Sequence, residues 1–220
     1  VMGQIAISKG IQLLIPENID HLCCGTPYSS KGYSAASKVM AKKTIATLYD
    51  SSNQGKIPIV VDTSPCTYQL KNLLPLLDDI HIELYQQLTF IDLIPFLEDL
   101  VGNNSNPQLQ RHSILHPTCS TDKMGDIESL LALSNTCAEE TTLPIDYGCC
   151  AFAGDRGLLV PELSASATQF EADELVDCDP GSFAYSSSRT CEVGMQRATG
   201  RDYESIALLV RDYLSQDEVN

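Results

Sequence analysis

The fold of this chain is decided by a cysteine-centred stretch that occurs twice, CCGTPYSSKG at residues 23–32 and CCAFAGDRG at residues 149–157. The two vicinal cysteine pairs are displaced by 126 residues. Each pair is followed by one further cysteine at almost the same distance, 42 residues on in the first copy (Cys66) and 41 residues on in the second (Cys191). Such self-similarity indicates an internal duplication.

The second copy contains a further candidate ligand upstream of its pair, Cys119, just after a predicted strand. The counterpart in the first copy would lie before Val1, so we expect the first copy to be truncated at its N-terminus and the chain to be part of a longer protein. The repeat predicts a first half at residues 1–105 and a second half at residues 106–220, which meet in the loop-like sequence GNNSNP at residues 102–107.

Short apolar runs alternate with segments of helical periodicity, which is typical of an α/β fold. The predicted fold class is therefore α/β, built from two pseudo-related halves. The predicted strands are Ile11–Pro16, Ile57–Asp62, Ser113–His116, Thr142–Ile145 and Ser182–Ser186. The predicted helices are Ser34–Asp50, Ile91–Leu100, Thr121–Cys137, Pro161–Leu175 and Tyr203–Leu214.

Composition and charge exclude several classes of function. The net charge of −15 would repel phosphate backbones, so we expect no nucleic-acid partner. No run of 18 apolar residues is present, so no transmembrane helix is predicted, and the N-terminus lacks the pattern of a signal peptide. Nine cysteines in such a chain indicate a reducing compartment. We expect the protein in the cytoplasm, with peripheral attachment to the inner face of the membrane as a second option.

Thiolates are the soft ligands that iron–sulfur clusters and zinc prefer. The second copy provides a complete four-thiolate metal site, with the ligands Cys119, Cys149, Cys150 and Cys191. The first copy provides three cofactor ligands, Cys23, Cys24 and Cys66. An iron–sulfur cluster of the 4Fe-4S type is the predicted cofactor. Zinc stays the alternative, although the chain has no Cys-x-x-Cys pair of the kind found in zinc ribbons and fingers.

The remaining candidate residues have weaker signals. Cys137 and Cys178 lie outside the repeat and are interpreted as core or incidental residues. His116, close to Cys119, could support a ligand or act as an occasional ligand, but a structural role at the end of a strand is the favoured interpretation. No nucleophile–base pattern is apparent, so no catalytic residue is predicted.

Four strings carry a resemblance to a known family: LCCGTPYSSKGY (22–33), VDTSPC (61–66), GCCAFAGDRG (148–157) and SSRTCE (187–192). They resemble the cysteine-rich "CCG" domain of heterodisulfide reductase B subunits, glycolate oxidase iron–sulfur subunits and FAD-linked D-lactate dehydrogenases. The narrower resemblance is to the C-terminal part of bacterial D-2-hydroxyacid dehydrogenases that contain FAD and 4Fe-4S clusters.

This resemblance implies a function and its partners. An FAD domain and a ferredoxin-like segment would precede this part in the same full-length chain. Electrons would pass from the flavin through iron–sulfur centres toward a quinone or cytochrome acceptor. The enzyme would be a D-lactate or similar D-2-hydroxyacid dehydrogenase, and this part alone would be inactive. A non-catalytic zinc-binding or scaffold module that docks the flavoprotein to a partner is the alternative.

The chain departs from the heterodisulfide reductase pattern at three positions. In that pattern each motif ends in Cys-x-x-Cys, which supplies an additional ligand, whereas this chain has Thr63 and Ser188 at those places. Ala151 replaces the glycine of the second motif. A four-thiolate site is therefore a better expectation than a five-cysteine noncubane cluster.

Overall fold

The computed structural model describes residues 1–102 and 104–216. In chain order the helices and strands are α1 (Met2–Ser8), α2 (Thr26–Ser29), α3 (Ser34–Ser51), β1 (Ile59–Val61), α4 (Ser64–Lys71), α5 (Asp79–Tyr85), β2 (Phe90–Asp92), α6 (Leu93–Val101), β3 (Leu109–Leu115), α7 (Cys119–Met124), α8 (Ile127–Cys137), β4 (Ala138–Thr142), α9 (Arg156–Leu159), α10 (Pro161–Glu174), β5 (Phe183–Ser186), α11 (Arg189–Thr199), β6 (Tyr203–Ser205) and α12 (Ile206–Leu214). Single 3-10 turns occur at Ile19–His21 and Leu74–Leu76.

These elements form two compact units. The small unit is Gln12–Asp92, and the large unit consists of Val1–Ile11 together with the described residues from Leu93 onward. The predicted halves, 1–105 and 106–220, refer to the duplicated motif, and that division stays a prediction. Both units contain parallel strands connected through helices, which confirms the predicted α/β class.

The large unit contains a four-stranded parallel sheet in the order β4-β3-β5-β6. Along the chain, β4 comes after β3 and lies on one side of it. β5 lies on the other side of β3, and β6 lies next to β5. The strand order therefore reverses between β3 and β5. In open parallel sheets, ligands bind at such a switch point, outside the carboxyl ends of the strands.

Both faces of this sheet are covered by helices. On β3 and β5, Leu115 and Tyr185 belong to a core cluster with α1, α6, α8 and α12. Their neighbours Ile114 and Ala184 belong to a second cluster on the opposite face, which includes Met195 of α11. Consecutive residues of a strand point to opposite faces, so both faces require apolar residues at these positions.

The small unit has two parallel strands, β1 and β2, and its longest helix is α3. The buried residues of α3 recur mainly at intervals of three and four, so they form one stripe along the helix: Ser37, Ala41, Thr44, Ile45 and Leu48. Ala41 and Ile45 pack in one core cluster with Leu70 and Leu73. Cys24 belongs to the same cluster.

Several predicted elements differ from the structure. Residues 11–16 form no strand, and Ile15 is 73% exposed, because no neighbouring strand in the described residues pairs with this apolar run. The strand predicted at Thr142–Ile145 lies earlier, at β4. The helix predicted at Thr121–Cys137 is divided into α7 and α8, since Gly125 adopts a left-handed φ of 80°.

The sequence did not predict α4, α11, β2 or β6. The predicted helix Tyr203–Leu214 begins only at Ile206, where the Ser205 hydroxyl accepts a hydrogen bond from the Ala207 N–H. Within the described residues, no helix is both long and apolar enough to cross a membrane.

Candidate metal centres

The predicted ligands of the large unit lie at the switch point of its sheet. Cys119 is the first residue of α7, just beyond the carboxyl end of β3, and Cys191 is the third residue of α11, just beyond β5. The two strand ends are joined because the His116 N–H donates to the Tyr185 carbonyl (2.9 Å). Parallel strands thus bring two cysteines from distant parts of the sequence to one edge.

The vicinal pair Cys149–Cys150 lies in the loop between β4 and α9, where the backbone is tightly turned. Ala151 and Ala153 both have a positive φ, of 51° and 43°. Gly157 allows the loop to close, because a Cβ atom at that position would overlap the Phe152 ring. The turn buries Cys150 and leaves Cys149 exposed.

Three side chains from different elements converge at this loop. The sulfurs of Cys150 and Cys191 lie 3.2 Å apart, and both cysteines are free thiols. Ligand atoms of His116, Cys150 and Cys191 all lie within 4.8 Å of one another, and all three residues are buried. The remaining predicted ligands, Cys119 and Cys149, shift each other's pKa in opposite directions.

In each pair of neighbouring cysteines, the pKa of one thiol is lowered and the pKa of the other is raised. Hydrogen bonding to Cys191, with a further contribution from His116, lowers the pKa of Cys150 to about 5. The same hydrogen bond, together with burial, raises the pKa of Cys191 far above its usual range. Cys119 likewise lowers the pKa of Cys149 to about 6, while its own pKa is raised. Metals bind the thiolate form of cysteine, so the lowered pKa values of Cys149 and Cys150 favour the binding of a soft metal.

His116 is fully buried and was not among the predicted ligands. Its Nδ1 atom contacts both carboxylate oxygens of Glu171 on α10, at 2.8 and 3.0 Å. Its Nε2 atom is buried and has no hydrogen-bonding partner among the described residues. Burial lowers the pKa of His116, but the interactions with Cys150 and Glu171 outweigh this effect and raise it to about 9. An unpartnered ring nitrogen beside two sulfurs, supported by a carboxylate, fits a metal ligand.

The small unit places its three predicted ligands in a similar setting. Cys66 is the third residue of α4 and follows β1, as Cys191 follows β5. Hydrogen bonding to Cys66 lowers the pKa of Cys24 to about 6, and the pKa of Cys66 is raised by the same bond and by burial. Burial also raises the pKa of Cys23. Cys24 and Cys66 thus shift each other's pKa in opposite directions, as Cys150 and Cys191 do, and Cys23 is adjacent to Cys24 in the chain.

The two cysteine turns correspond in their backbone. Gly25 and Ala151, which follow the vicinal pairs, both have a positive φ, of 95° and 51°. Thr63 and Ser188, which stand where the related pattern has an additional cysteine, are the extended N-cap residues of α4 and α11. The local geometry therefore repeats along with the sequence. At both places a polar N-cap residue replaces the additional ligand.

The two cysteines outside the repeat lie where the sequence predicted. Cys137 is fully buried in the core of the large unit, and Cys178 packs at the edge of the second cluster. His116 had a weak signal in the sequence, as a histidine three residues before Cys119. Glu171 had no such signal, because it lies 55 residues away from His116 in the chain.

Comparison with known proteins identifies one family and several relatives. Residues 2–71 match the family described as "CCG: Cysteine-rich domain". A subunit of the anaerobic glycerol-3-phosphate dehydrogenase of Escherichia coli (strain K12) is 26% identical over 160 residues, which are 69% of this chain and 38% of that protein. Lactate utilization protein A 1 of Bacillus mycoides (strain KBAB4) is 21% identical over 164 residues, which are 70% of this chain and 65% of that protein.

A further relative is lactate utilization protein A of Macrococcus caseolyticus (strain JCSC5402), which is 25% identical over 166 residues, or 71% of this chain and 64% of that protein. The chain thus spans less than two thirds of the length of each of these relatives. No solved structure matches the chain.

Proposed function

We propose that this chain is an iron–sulfur electron-transfer part of a dehydrogenase. The premise is that the chain carries a cysteine-rich domain of the CCG family, as its cysteine strings predicted. The observation that carries this proposal is the pair of cysteine sites at corresponding strand-to-helix turns, in which Cys66 and Cys191 are each the third residue of a helix. The dehydrogenase relative supports the class of enzyme. The chain would transfer electrons, and the substrate would be oxidised at the flavin of the complete enzyme.

The role of the chain's own residues in this function is to hold the cofactor. Cys119, Cys149, Cys150 and Cys191 would bind it in the large unit, and Cys23, Cys24 and Cys66 would bind it in the small unit. A 4Fe-4S cluster, when bound, supplies one-electron chemistry whose potential depends on the burial and hydrogen bonding of its sulfurs. The buried Cys150 and Cys191 would keep water away from such a centre.

The substrate is proposed more specifically to be a D-2-hydroxyacid, with D-lactate as the first candidate. Support comes from the resemblance of the cysteine strings and from two relatives named for lactate utilization. An FAD domain would take the hydride, a ferredoxin-like segment would carry electrons onward, and a quinone or cytochrome would accept them. The partners would thus be the flavin and ferredoxin-like parts of the complete enzyme, in the cytoplasm or at the inner face of the membrane.

The proposal is tested by anaerobic reconstitution of the chain with iron and sulfide. We expect a broad visible absorption typical of iron–sulfur clusters, which bleaches on reduction, and an electron paramagnetic resonance signal from the reduced cluster. Cys150→Ser and Cys24→Ser should each remove part of the bound iron. Cys178→Ser, at a cysteine outside both sites, is the matched control and should retain all of it. Iron that binds equally well to all three variants would contradict the proposal.

A second candidate function is a zinc-binding module that docks the flavoprotein to a partner. The observation that favours it is the compact group of His116, Cys150 and Cys191, because imidazole and thiolates are common zinc ligands. A colourless protein that contains stoichiometric zinc, and that accepts no iron on reconstitution, would favour this function over electron transfer.

A further inference from the structure

A fully buried histidine of the large unit faces the metal-binding cysteines without a partner for one of its ring nitrogens. We propose that His116 is a metal ligand through Nε2, and that Glu171 orients it, so that one metal atom is bound jointly by His116, Cys150 and Cys191. This inference deepens the proposed function and rests on its premise that metal binds at this site. In place of the predicted set of four cysteine sulfurs, the ligands of this metal would include both a histidine nitrogen and cysteine sulfurs.

The contact with Glu171 fixes the tautomer of the imidazole. An ionised carboxylate is only an acceptor, so the Nδ1 atom of His116 must carry the proton that it donates to Glu171 (2.8 and 3.0 Å). Once the proton on Nε2 is lost, that atom has a lone pair that can bind a metal. A carboxylate that holds one ring nitrogen while the other binds metal is a recurring arrangement, and it also increases the basicity of the ligand.

A ring nitrogen of His116 and the sulfurs of Cys150 and Cys191 all lie within 4.8 Å of one another. The Nε2 atom is buried and has no hydrogen-bonding partner in the described part of the chain. Such a group is unfavourable in a protein interior, and native proteins commonly satisfy it through an ordered water or an ion. A metal ion between Nε2 and the two sulfurs would satisfy it.

The distances favour a single shared metal atom. Thiolates bound at about 2.3 Å to one tetrahedral metal lie about 3.8 Å apart. The Cys150 and Cys191 sulfurs are 3.2 Å apart, and a ring nitrogen of His116 lies within 4.8 Å of both. Sulfurs that bind different irons of a cluster lie farther apart, because bridging sulfides and a second metal separate them. The metal atom can be an isolated ion or one iron of a cluster, and the Cys119–Cys149 pair offers further ligands in either case.

The test uses the same chain in two arms, loaded with Zn²⁺ or reconstituted anaerobically with iron and sulfide, and measures X-ray absorption at the metal edge. For zinc we expect an imidazole nitrogen at about 2.0–2.1 Å in addition to sulfurs at about 2.3 Å. For iron we expect the imidazole contribution again, and hyperfine coupling to ¹⁵N-labelled histidine in the reduced state. The second arm thus distinguishes a cluster iron from an isolated ion.

Variants separate a ligand from a structural histidine. His116→Gln should weaken metal binding at least about tenfold, whereas His116→Cys should restore it with sulfur in place of the imidazole signal. Glu171→Gln should weaken binding about 10- to 100-fold while the imidazole signal remains. His112→Gln is the matched control, since His112 lies on β3 but both of its ring nitrogens already have partners, Thr142 and Ser182.

The outcomes distinguish this inference from the proposed function. An all-sulfur shell in the unaltered protein, or unchanged metal affinity in folded His116→Gln, overturns the inference and leaves iron–sulfur electron transfer intact. Zinc with an imidazole ligand, together with a failure to bind iron, supports the inference and overturns electron transfer. A site that takes neither metal overturns both. If His116→Gln does not fold, the metal-edge spectrum of the unaltered protein and the His116→Cys variant decide.

Discussion

At the scale of single residues, Ala151 is held in a conformation that its side chain disfavours. Its φ of 51° lies in the left-handed region, where the corresponding residue of the first copy is Gly25. A Cβ atom there costs about 1–2 kcal/mol, while the freedom that glycine gains in the unfolded chain offsets about 0.4–1 kcal/mol of this. The strained position directly follows Cys150, so the turn that presents this thiol is maintained by the surrounding packing.

We therefore expect Ala151→Gly to raise the free energy of unfolding by up to about 1.5 kcal/mol, as measured by denaturant unfolding of the metal-free protein. Ala46→Gly, in the middle of the long helix α3, is the control and should lower it by about 0.5–1 kcal/mol. Equal destabilisation by the two substitutions would show that Ala151 is not strained.

A second prediction at this scale concerns the reactivity of Cys24. The pKa of this thiol is lowered to about 6, chiefly by the hydrogen bond from Cys66. Below that pH it is protonated and unreactive, and above it the thiolate is present. In the metal-free protein the alkylation rate of Cys24 should therefore reach half of its plateau near the pKa of this thiol, whereas an ordinary cysteine does so at about pH 8.5.

Alkylation with iodoacetamide, followed by peptide mass spectrometry over a range of pH, measures this midpoint. Cys66→Ala should move the midpoint toward higher pH, because it removes the hydrogen-bond donor. Cys66→Ser retains a donor and should move it less. A midpoint that is the same in all three proteins would rule out the thiol–thiolate pair.

At the scale of elements, the first turn of α4 is fixed by the end of β2. The buried carboxylate of Asp92 accepts hydrogen bonds from the Ser64 hydroxyl (3.0 Å) and the Thr67 hydroxyl (2.6 Å). Cys66 lies between these two residues. The strand end thus holds the turn of the helix that carries a predicted ligand.

Asp92→Ala should lower the free energy of unfolding by about 2–4 kcal/mol, because two buried hydroxyls lose a charged acceptor. Calorimetry or denaturant unfolding measures the change. Asp62→Ala is the control, since Asp62 lies near the same turn but is exposed, and such surface changes stay within about 0.5 kcal/mol. Similar losses in both variants would contradict a specific role for Asp92.

At the scale of the whole molecule, the cysteine sites would act downstream of the flavin in the complete enzyme. Hydride transfer would take place at the flavin, whereas the thiolate sites lie later in the proposed electron path. Cys150→Ser should therefore leave the rate of flavin reduction by D-lactate unchanged and slow the reduction of the terminal acceptor at least about tenfold. Stopped-flow absorption measures the two steps separately.

Cys178→Ser is the control for this experiment and should alter neither step. If Cys150→Ser slows flavin reduction as much as acceptor reduction in a folded enzyme, the site is not a simple downstream carrier. If neither rate changes, the cysteines are structural and the zinc-binding interpretation gains support.

The sequence by itself determined the α/β class, the duplicated cysteine motif and the correspondence of Cys66 with Cys191, because these depend on spacing along the chain. Only the tertiary structure decided that His116 meets Glu171, 55 residues away, beside Cys150 and Cys191. The physical reason is that these side chains meet through the order of parallel strands and the packing of α10, and neither leaves a local pattern in the sequence.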